Sequence, residues 1–330
     1  MNFYVFLVLA QLIMSKMMKA VFYNRYGSPK VLEIGELEQP KINEDEVLVQ
    51  AYASSVNPVD WKIRKGDMKI FTGKKFPKGV GADIAGKISA LGKNVTEFKI
   101  DDEVYGKLGG FKGSAYAEYV VSKPEDLALK PTNLDYNESA SVPLAALTAY
   151  QALVNHGELT KGSRVLINGC SGGVGHLGVQ IAKALGAEVT GVCSTKNVKL
   201  SKELGADKVI DYTKENVTVN KEKYDIFFDA VANQSYGKIK PILNKNGRYI
   251  TTLPSVGVIL NSVTGLLSSK KAKMINTKSN PQDLQQITNW IEDGKVKPVI
   301  DKVYSLEDIR EAHRHSETGR VVGKLVISIK

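Results

Sequence analysis

The stretch that most constrains the fold runs from Ser163 to Gly186. An apolar run, Val165-Leu166-Ile167, ends in Gly169-Cys170-Ser171-Gly172-Gly173-Val174-Gly175. Apolar residues at helical spacing (Val174, Leu177, Ile181, Leu185) follow at once. That is a strand, a tight turn and a helix, the opening of a dinucleotide-binding βαβ unit. Glycines let the backbone approach a pyrophosphate, and a helix N-terminus offers unpaired N–H groups and the positive end of its dipole. Cys170 stands at the first glycine of the strict G-x-G-x-x-G string, while Gly172 and Gly175 keep the other two. The alternative is a glycine-rich turn that holds nothing. Residues 187–193 argue against it, because they read as a second strand starting just after Gly186 closes the helix.

That second strand runs into Cys193-Ser194-Thr195-Lys196-Asn197, with no acid where NAD-binding units place a carboxylate on the ribose hydroxyls. A carboxylate there repels a 2′-phosphate, whereas a hydroxyl and a lysine attract one. Ser194, Lys196 and Lys199 therefore point to NADPH, with a merely solvated basic turn as the alternative.

At 330 residues the chain has room for two domains, each burying its own core. Residues 2–14 are apolar except Asn2 and Gln11. The run is shorter than the ~20 residues of a bilayer span and lacks a signal peptide's basic flank and cleavage site, so no stable membrane insertion is expected. Met17 and Met18 directly precede the first clear strand pattern, Lys19-Ala20-Val21-Phe22-Tyr23. Residues 1–17 are read as an extra apolar segment, a start-site extension or a weak export signal or anchor, that adds nothing to the core.

From Met18 to about Pro131, short strand patterns at 31–37, 46–54, 86–91, 103–106 and 116–121 indicate a compact β unit. A helix at 138–154, stopped by Gly157, leads into the nucleotide unit. The alternation continues through a helix at 197–204, strands at 208–211 and 224–230, a helix at 235–243 and a strand at 247–253. Such alternation builds a parallel, doubly wound sheet. A strand at 273–277 and a helix at 282–293 close that domain, and the tail returns to strands at 302–304 and 324–329 around a helix at 306–316. The expected layout is a Rossmann domain, 138–294, inserted into a β-rich domain made of 18–137 and 295–330.

A formal net charge of +10 raises nucleic acid as a partner. The lysines are scattered, however, and form no compact basic helix, so the charge fits solubility and an anionic cofactor instead. Two cysteines, one in each of the first two βα turns, make neither a disulfide framework nor a metal site and fit a reducing cytoplasm. His313 and His315 are two apart on a helix and read as exposed tail residues. His156, just before Gly157, reads as a cap on a helix dipole.

Several segments carry a resemblance. Asn57-Pro58-Val59-Asp60-Trp61-Lys62-Ile63-Arg64-Lys65-Gly66, Gly113-Ser114-Ala115-Tyr116-Ala117-Glu118-Tyr119 and Pro143-Leu144-Ala145-Ala146-Leu147-Thr148-Ala149-Tyr150 lie ahead of the glycine turn. Leu204-Gly205-Ala206-Asp207-Lys208-Val209-Ile210-Asp211-Tyr212, Thr318-Gly319-Arg320 and Gly323-Lys324-Leu325-Val326-Ile327 follow it. Together they resemble the medium-chain dehydrogenase/reductase superfamily, in its zinc-independent quinone oxidoreductase and enone (alkenal) reductase branch. The resemblance implies a GroES-like β-rich catalytic domain beside the Rossmann domain. It also implies an active-site loop at 57–66, and a homodimer with residues 255–277 as its edge. Zinc-dependent relatives need a Cys in that loop and a Gly-His-Glu string; here stand Asn57, Asp60 and Gly81-Ala82-Asp83, which cannot supply the ligand set.

The implied activity is NADPH-dependent reduction of quinones or of the C=C bond of α,β-unsaturated carbonyls. Gly172, Gly173 and Val174 would hold the pyrophosphate, and Ser194, Lys196, Asn197, Lys199 and Tyr212 would surround the 2′-phosphate. Thr148, Leu253, Gly323 and Lys324 would line the nicotinamide end, with Asn57 and Lys62 facing the substrate carbonyl. Tyr105, Phe111 and the 255–269 segment are expected to shape the pocket. A catalytically idle NADPH-binding protein, like the lens crystallin drawn from the same branch, would keep the same cofactor residues.

Overall fold

In the computed structural model the described residues are 16–109, 113–219, 222–254, 258 and 269–330. Phe111, residues 1–15 and nearly all of the 255–269 segment lie outside them. The β-rich part begins with β1 (Met17–Tyr23), β2 (Leu32–Glu38) and β3 (Val47–Val56), followed by helices α1 (Pro58–Lys65) and α2 (Lys69–Thr72). It continues through β4 (Lys78–Gly79), β5 (Asp83–Leu91), β6 (Glu103–Lys107), β7 (Tyr119–Ser122) and β8 (Leu127–Leu129). Helices α3 (Tyr136–Ala140) and α4 (Pro143–Gln151) lead into the nucleotide unit: β9 (Arg164–Asn168), α5 (Gly173–Ala184), β10 (Glu188–Cys193), α6 (Val198–Glu203), β11 (Lys208–Asp211), β12 (Tyr224–Asp229), α7 (Tyr236–Ile239), β13 (Leu243–Thr251) and β14 (Lys271–Met274). Helix α8 (Pro281–Glu292), β15 (Ile300–Ser305), α9 (Ile309–Glu317) and β16 (Lys324–Ser328) complete the chain.

Strands β9 to β14 form one parallel sheet in the order β11-β10-β9-β12-β13-β14. That is the doubly wound order whose chain reversal opens a crevice at the carboxyl ends of the central strands. A second sheet runs β15-β16-β3-β5-β6-β8, with β7 on β3, and a small one runs β2-β1-β4. The β-rich part therefore takes strands from both ends of the chain. One apolar cluster spans both parts, from Ala53, Ala85 and Tyr105 to Val165, Ile167 and Phe228.

Several expectations need correcting. The first strand starts at Met17, which pairs with Glu38, and the Lys16 carbonyl accepts from the Gln39 amide at 2.7 Å. Lys16 and Met17 thus belong to the ladder. Residues 57–66 are no loop: Asn57-Pro58 starts α1, and Gly66, at φ +95°, ends it. The helix expected at 235–243 is only the short α7, because Lys240–Ile242 tightens into a 3-10 turn and Leu243 already starts β13. Tyr105 is core: its hydroxyl lies 2.7 Å from Thr288 Oγ1, tying β6 to α8. No helix among the described residues is long and apolar enough to cross a membrane.

Candidate active site

The N-terminus of α1 sits in a buried polar network. Asp60 accepts the Asn57 amide at 2.8 Å, as a residue at the third helical position does for its cap. The Asn57 side chain is drawn the other way: Nδ2 donates to Asp83 Oδ2 at 2.8 Å, and Oδ1 accepts from Lys324 Nζ at 2.5 Å. Asp83 also accepts from Ser55 Oγ at 2.6 Å and from the Leu144 amide of α4 at 2.8 Å. Asn57, Asp60, Asp83 and Lys324 are each no more than 3% exposed. Burial pushes the Asp60 carboxyl up to about 7 and the Lys324 ammonium down, against the pull of Asp83. Buried polar groups need partners, and here Lys324 Nζ lies 3.5 Å from Asp83 Oδ2.

Lys62 lies one turn further along α1. It is half-buried, and burial pulls its ammonium below the usual lysine range. Its Nζ lies 5.6 Å from the Trp61 ring centroid. On α4, Leu144 and Thr148 share a face, since residues four apart stack on a helix. Leu144 meets Asp83, and the Thr148 hydroxyl lies 2.7 Å from Thr277 Oγ1.

The glycine turn closes against this network. Gly169 takes φ +80°, and a Cβ at Gly175 would lie 2.1 Å from the Gly169 carbonyl, so the turn holds only with glycine at both places. Cys170 faces inward, its Sγ 3.1 Å from Ser201 Oγ, and Ser201 donates to Cys193 Sγ at 3.3 Å. Ser171 accepts the Gly323 amide at 2.8 Å, and a Cβ on Gly173 would meet the Lys324 stem at 3.2 Å. Lys324 thus runs beneath the turn before reaching Asn57. His176 is a further clamp that the sequence left unassigned. The Val299 amide donates to its Nε2 at 3.1 Å, so Nδ1 carries the proton toward the Gly172 carbonyl at 3.0 Å. Burial holds this imidazole neutral, its pKa near 4.

At the other end of the turn, Asn197 Nδ2 donates to Ser171 Oγ at 2.9 Å. Ser194 precedes the short turn Thr195–Asn197, with Lys196 exposed on it. Tyr212 follows β11 and is 59% exposed, its amide on the Cys193 carbonyl. Leu253 follows β13 and is 41% exposed. Lys199, exposed on α6, has its Nζ 3.7 Å from Glu203. The sequence also missed Asp211. Its carboxylate lies 2.5 Å from Thr195 Oγ1 and accepts the amide and hydroxyl of Thr213, bonds that hold it at about 2.

Two histidines differ from expectation. His313 is fully buried, 3.5 Å from Arg64 and edge-on to Tyr116, and burial pushes it down to about 3. His156 is also pushed down, by burial and by Lys273, and a neutral imidazole does not cap a dipole by charge. An open polar hollow of about 440 Å³ around Gly157, Lys161, Asp225 and Arg248 lies at the opposite end of the parallel strands. Ligands of such sheets bind at the carboxyl ends, where the glycine turn is.

Comparison with known proteins agrees with this architecture. Residues 43–132 match the alcohol dehydrogenase GroES-like domain, and residues 204–327 match the zinc-binding dehydrogenase family. A chloroplast envelope quinone oxidoreductase homolog of Arabidopsis thaliana is 33% identical over 94% of this chain and 98% of its own. The chain belongs to the medium-chain dehydrogenase/reductase superfamily. Within that superfamily an NADPH-dependent alkenal/one oxidoreductase from Arabidopsis thaliana is 34% identical, over 94% of this chain and 80% of its own. A solved quinone oxidoreductase from Coxiella burnetii is 31% identical, with a TM-score of 0.87 over 96% of this chain and 100% of its own. The fold is thus that of this oxidoreductase superfamily, a GroES-like part beside a Rossmann-like sheet.

The residues fit a nicotinamide dinucleotide. A Cβ at Gly172 would have only the Gly169 carbonyl nearby, at 3.5 Å, so that face of the turn is open. The first amides of α5 have no intrahelical acceptor. An open glycine face beside free helix amides is the cradle a pyrophosphate needs.

Proposed function

We propose that the protein is an NADPH-dependent, zinc-independent reductase that saturates the C=C bond of α,β-unsaturated carbonyls and reduces quinones. The observation that carries this reading is the placement of Asn57 at the start of α1, joined through Lys324 and Gly323 to the glycine turn, with Lys62 one turn along the same helix. The names of its relatives, quinone oxidoreductase and alkenal/one oxidoreductase, support the substrate class. The donor set supports zinc independence: Asn57 and Ala82 offer neither thiolate nor imidazole, and Asp83 is committed to Ser55, Asn57 and Lys324.

When bound, NADPH supplies a hydride to the carbon β to the carbonyl. Gly172, Gly173 and Val174 bind the pyrophosphate, and Ser194, Lys196 and Asn197, with Lys199 and Tyr212, surround the 2′-phosphate. Thr148, Leu253, Gly323 and Lys324 shape the nicotinamide end. Lys62 and Asn57 lie toward the acceptor's carbonyl in this reading, with Lys62 as the donor because the Asn57 amide is engaged by Asp83 and Lys324. A donor aimed there stabilises the charge that builds in the transition state more than the ground state. Water supplies the proton to the α-carbon. We also assign a cytoplasmic setting, supported by two buried free cysteines, and a homodimer across β14, an edge strand of the parallel sheet. Sedimentation as a monomer at micromolar concentration would count against the dimer.

Lys62→Ala tests the reaction. Loss of one such donor costs about 10²–10³ in rate, so turnover with enones falls while the Kd for NADPH changes little. Unchanged turnover in Lys62→Ala, or no NADPH oxidation by the wild type with any conjugated acceptor, overturns the reading.

A further inference from the structure

Lys107 closes β6 and has no place in the chemistry above. It is 9% exposed, and burial pulls its ammonium below the usual lysine range. Asp126 and Asp83 raise it through space, yet among the described residues neither forms an ion pair with it, and its Nζ makes no hydrogen bond. Both carboxylates are engaged elsewhere: Asp126 accepts the Gly109 amide at 3.0 Å, and Asp83 serves Ser55, Asn57 and Leu144. The side chain is buried for most of its length and its Nζ has no protein acceptor among the described residues, which leaves a partly desolvated ammonium free to meet an anion.

The strand register says where it faces. Lys107 is paired directly across from Asp83 in the antiparallel β5–β6 ladder. Opposed residues project from the same face of a sheet, so Lys107 leaves the strand on the face that carries the Asn57–Asp83–Lys324 network. Tyr105, two residues earlier and so on that same face, reaches α8 through Thr288. That face is the one turned toward the parallel-sheet part. The Lys107 carbonyl accepts from Ser279 Oγ at 2.8 Å, two residues beyond Thr277, which contacts Thr148. Lys107 therefore stands between the α1 network and the Thr148–Thr277 pair, the two groups assigned to acceptor and nicotinamide.

We propose that Lys107 forms an anion subsite for the acceptor, so that the protein favours conjugated ketones that carry a carboxylate. The proposal rests on the reaction assigned above. Lys62 and Asn57 serve the reacting carbonyl, which leaves Lys107 for a second group. A full negative charge answers a desolvated ammonium better than a neutral oxygen does, because charge-assisted hydrogen bonds are the strong ones.

The test uses the full-length protein with (E)-4-oxopent-2-enoate and its methyl ester. The wild type is expected to show kcat/KM about tenfold higher for the acid than for the ester, and Lys107→Met to bring that ratio near one. Lys107→Arg, which keeps the charge, retains a preference for the acid. A second arm needs no turnover: calorimetry of saturated 4-oxopentanoate binding to the protein saturated with NADP⁺, where Lys107→Met weakens Kd about tenfold. Should Lys107→Met not fold, Lys107→Gln takes its place in both arms. A wild type without preference, a Lys107→Met ratio equal to the wild type's, or an unchanged keto-acid Kd overturns the subsite. So does a tenfold loss of NADP⁺ affinity with the ratio intact, which assigns Lys107 to the dinucleotide. If the wild type oxidises NADPH with neither probe, the calorimetric arm alone decides Lys107, while the reaction reading falls only if simple enones and quinones fail as well.

Discussion

Lys324 is buried at 3% exposure beneath the glycine turn, and the Asp83 carboxylate pairs with it at 3.5 Å. Removing one member of a buried pair strands the other and costs about 3–5 kcal/mol. Lys324→Met is therefore expected to lose about that much in urea unfolding. Lys324→Met with Asp83→Asn should recover roughly 2 kcal/mol of it, since residues in direct contact are not additive. Simple additivity would show that the pair is not coupled. Ser194 carries the second residue-scale prediction. With a hydroxyl there and Lys196 on the same turn, NADPH should bind at least ~10-fold tighter than NADH, about 1.4 kcal/mol. Ser194→Asp should erode that preference, and equal wild-type dissociation constants would refute it. At this scale the sequence showed single residues and not their partners. Asn57 and Lys324 were readable from the motifs around them, but they lie 267 positions apart and their shared bond is made only by the fold. Asp211 was hidden for the same reason: it reaches Thr195 because β11 lies beside β10.

Helix α1 is positioned from both ends. Asp60 closes its start, and near its end the fully buried Arg64 pairs with Glu317 and approaches His313 on α9. The signs of a helix were in the sequence: Asn57 as cap, Pro58 at the first helical position, Asp60 two residues later, and Gly66 just past the end. The resemblance to a family's active-site loop outweighed them. The burial of His313 had no sequence signal, because it depends on Arg64, which comes 249 positions earlier. It has a measurable consequence. The folded state holds His313 neutral, near 3, below the usual value of 6.5. Below pH 6.5 the unfolded chain therefore binds a proton that the folded chain refuses. The stability His313 contributes is complete above 6.5 and is lost as pH falls toward 3. His176, near 4, acts in the same sense, while Asp60, raised to about 7, acts in the opposite sense between its ordinary value and 7. Comparison with His313→Gln isolates one of the three. Between pH 6.5 and 5 the wild type should lose on the order of 1.5 kcal/mol more stability than the variant. A difference that does not vary with pH would show that His313 charges freely in the fold.

Across the whole molecule the parallel alternation was legible from the glycine turn onward, because strands buried on both faces and their helices repeat at short range. The β-rich part was legible as strands but not as a sheet. Strands β15 and β16 come from the far end of the chain, and β16 pairs with β3 across more than 260 positions. That long return has a functional consequence: β16 carries Gly323 and Lys324 to the glycine turn and to Asn57 together. The proposed site thus draws on segments near residues 57, 83, 107, 148, 277 and 324, brought together only by the fold. The most direct test of this account is to identify the product formed from NADPH and a simple α,β-unsaturated ketone. The account predicts the saturated ketone, with its carbonyl intact and one NADPH consumed per product. An allylic alcohol, or a saturated aldehyde reduced as readily as the enone, would contradict it.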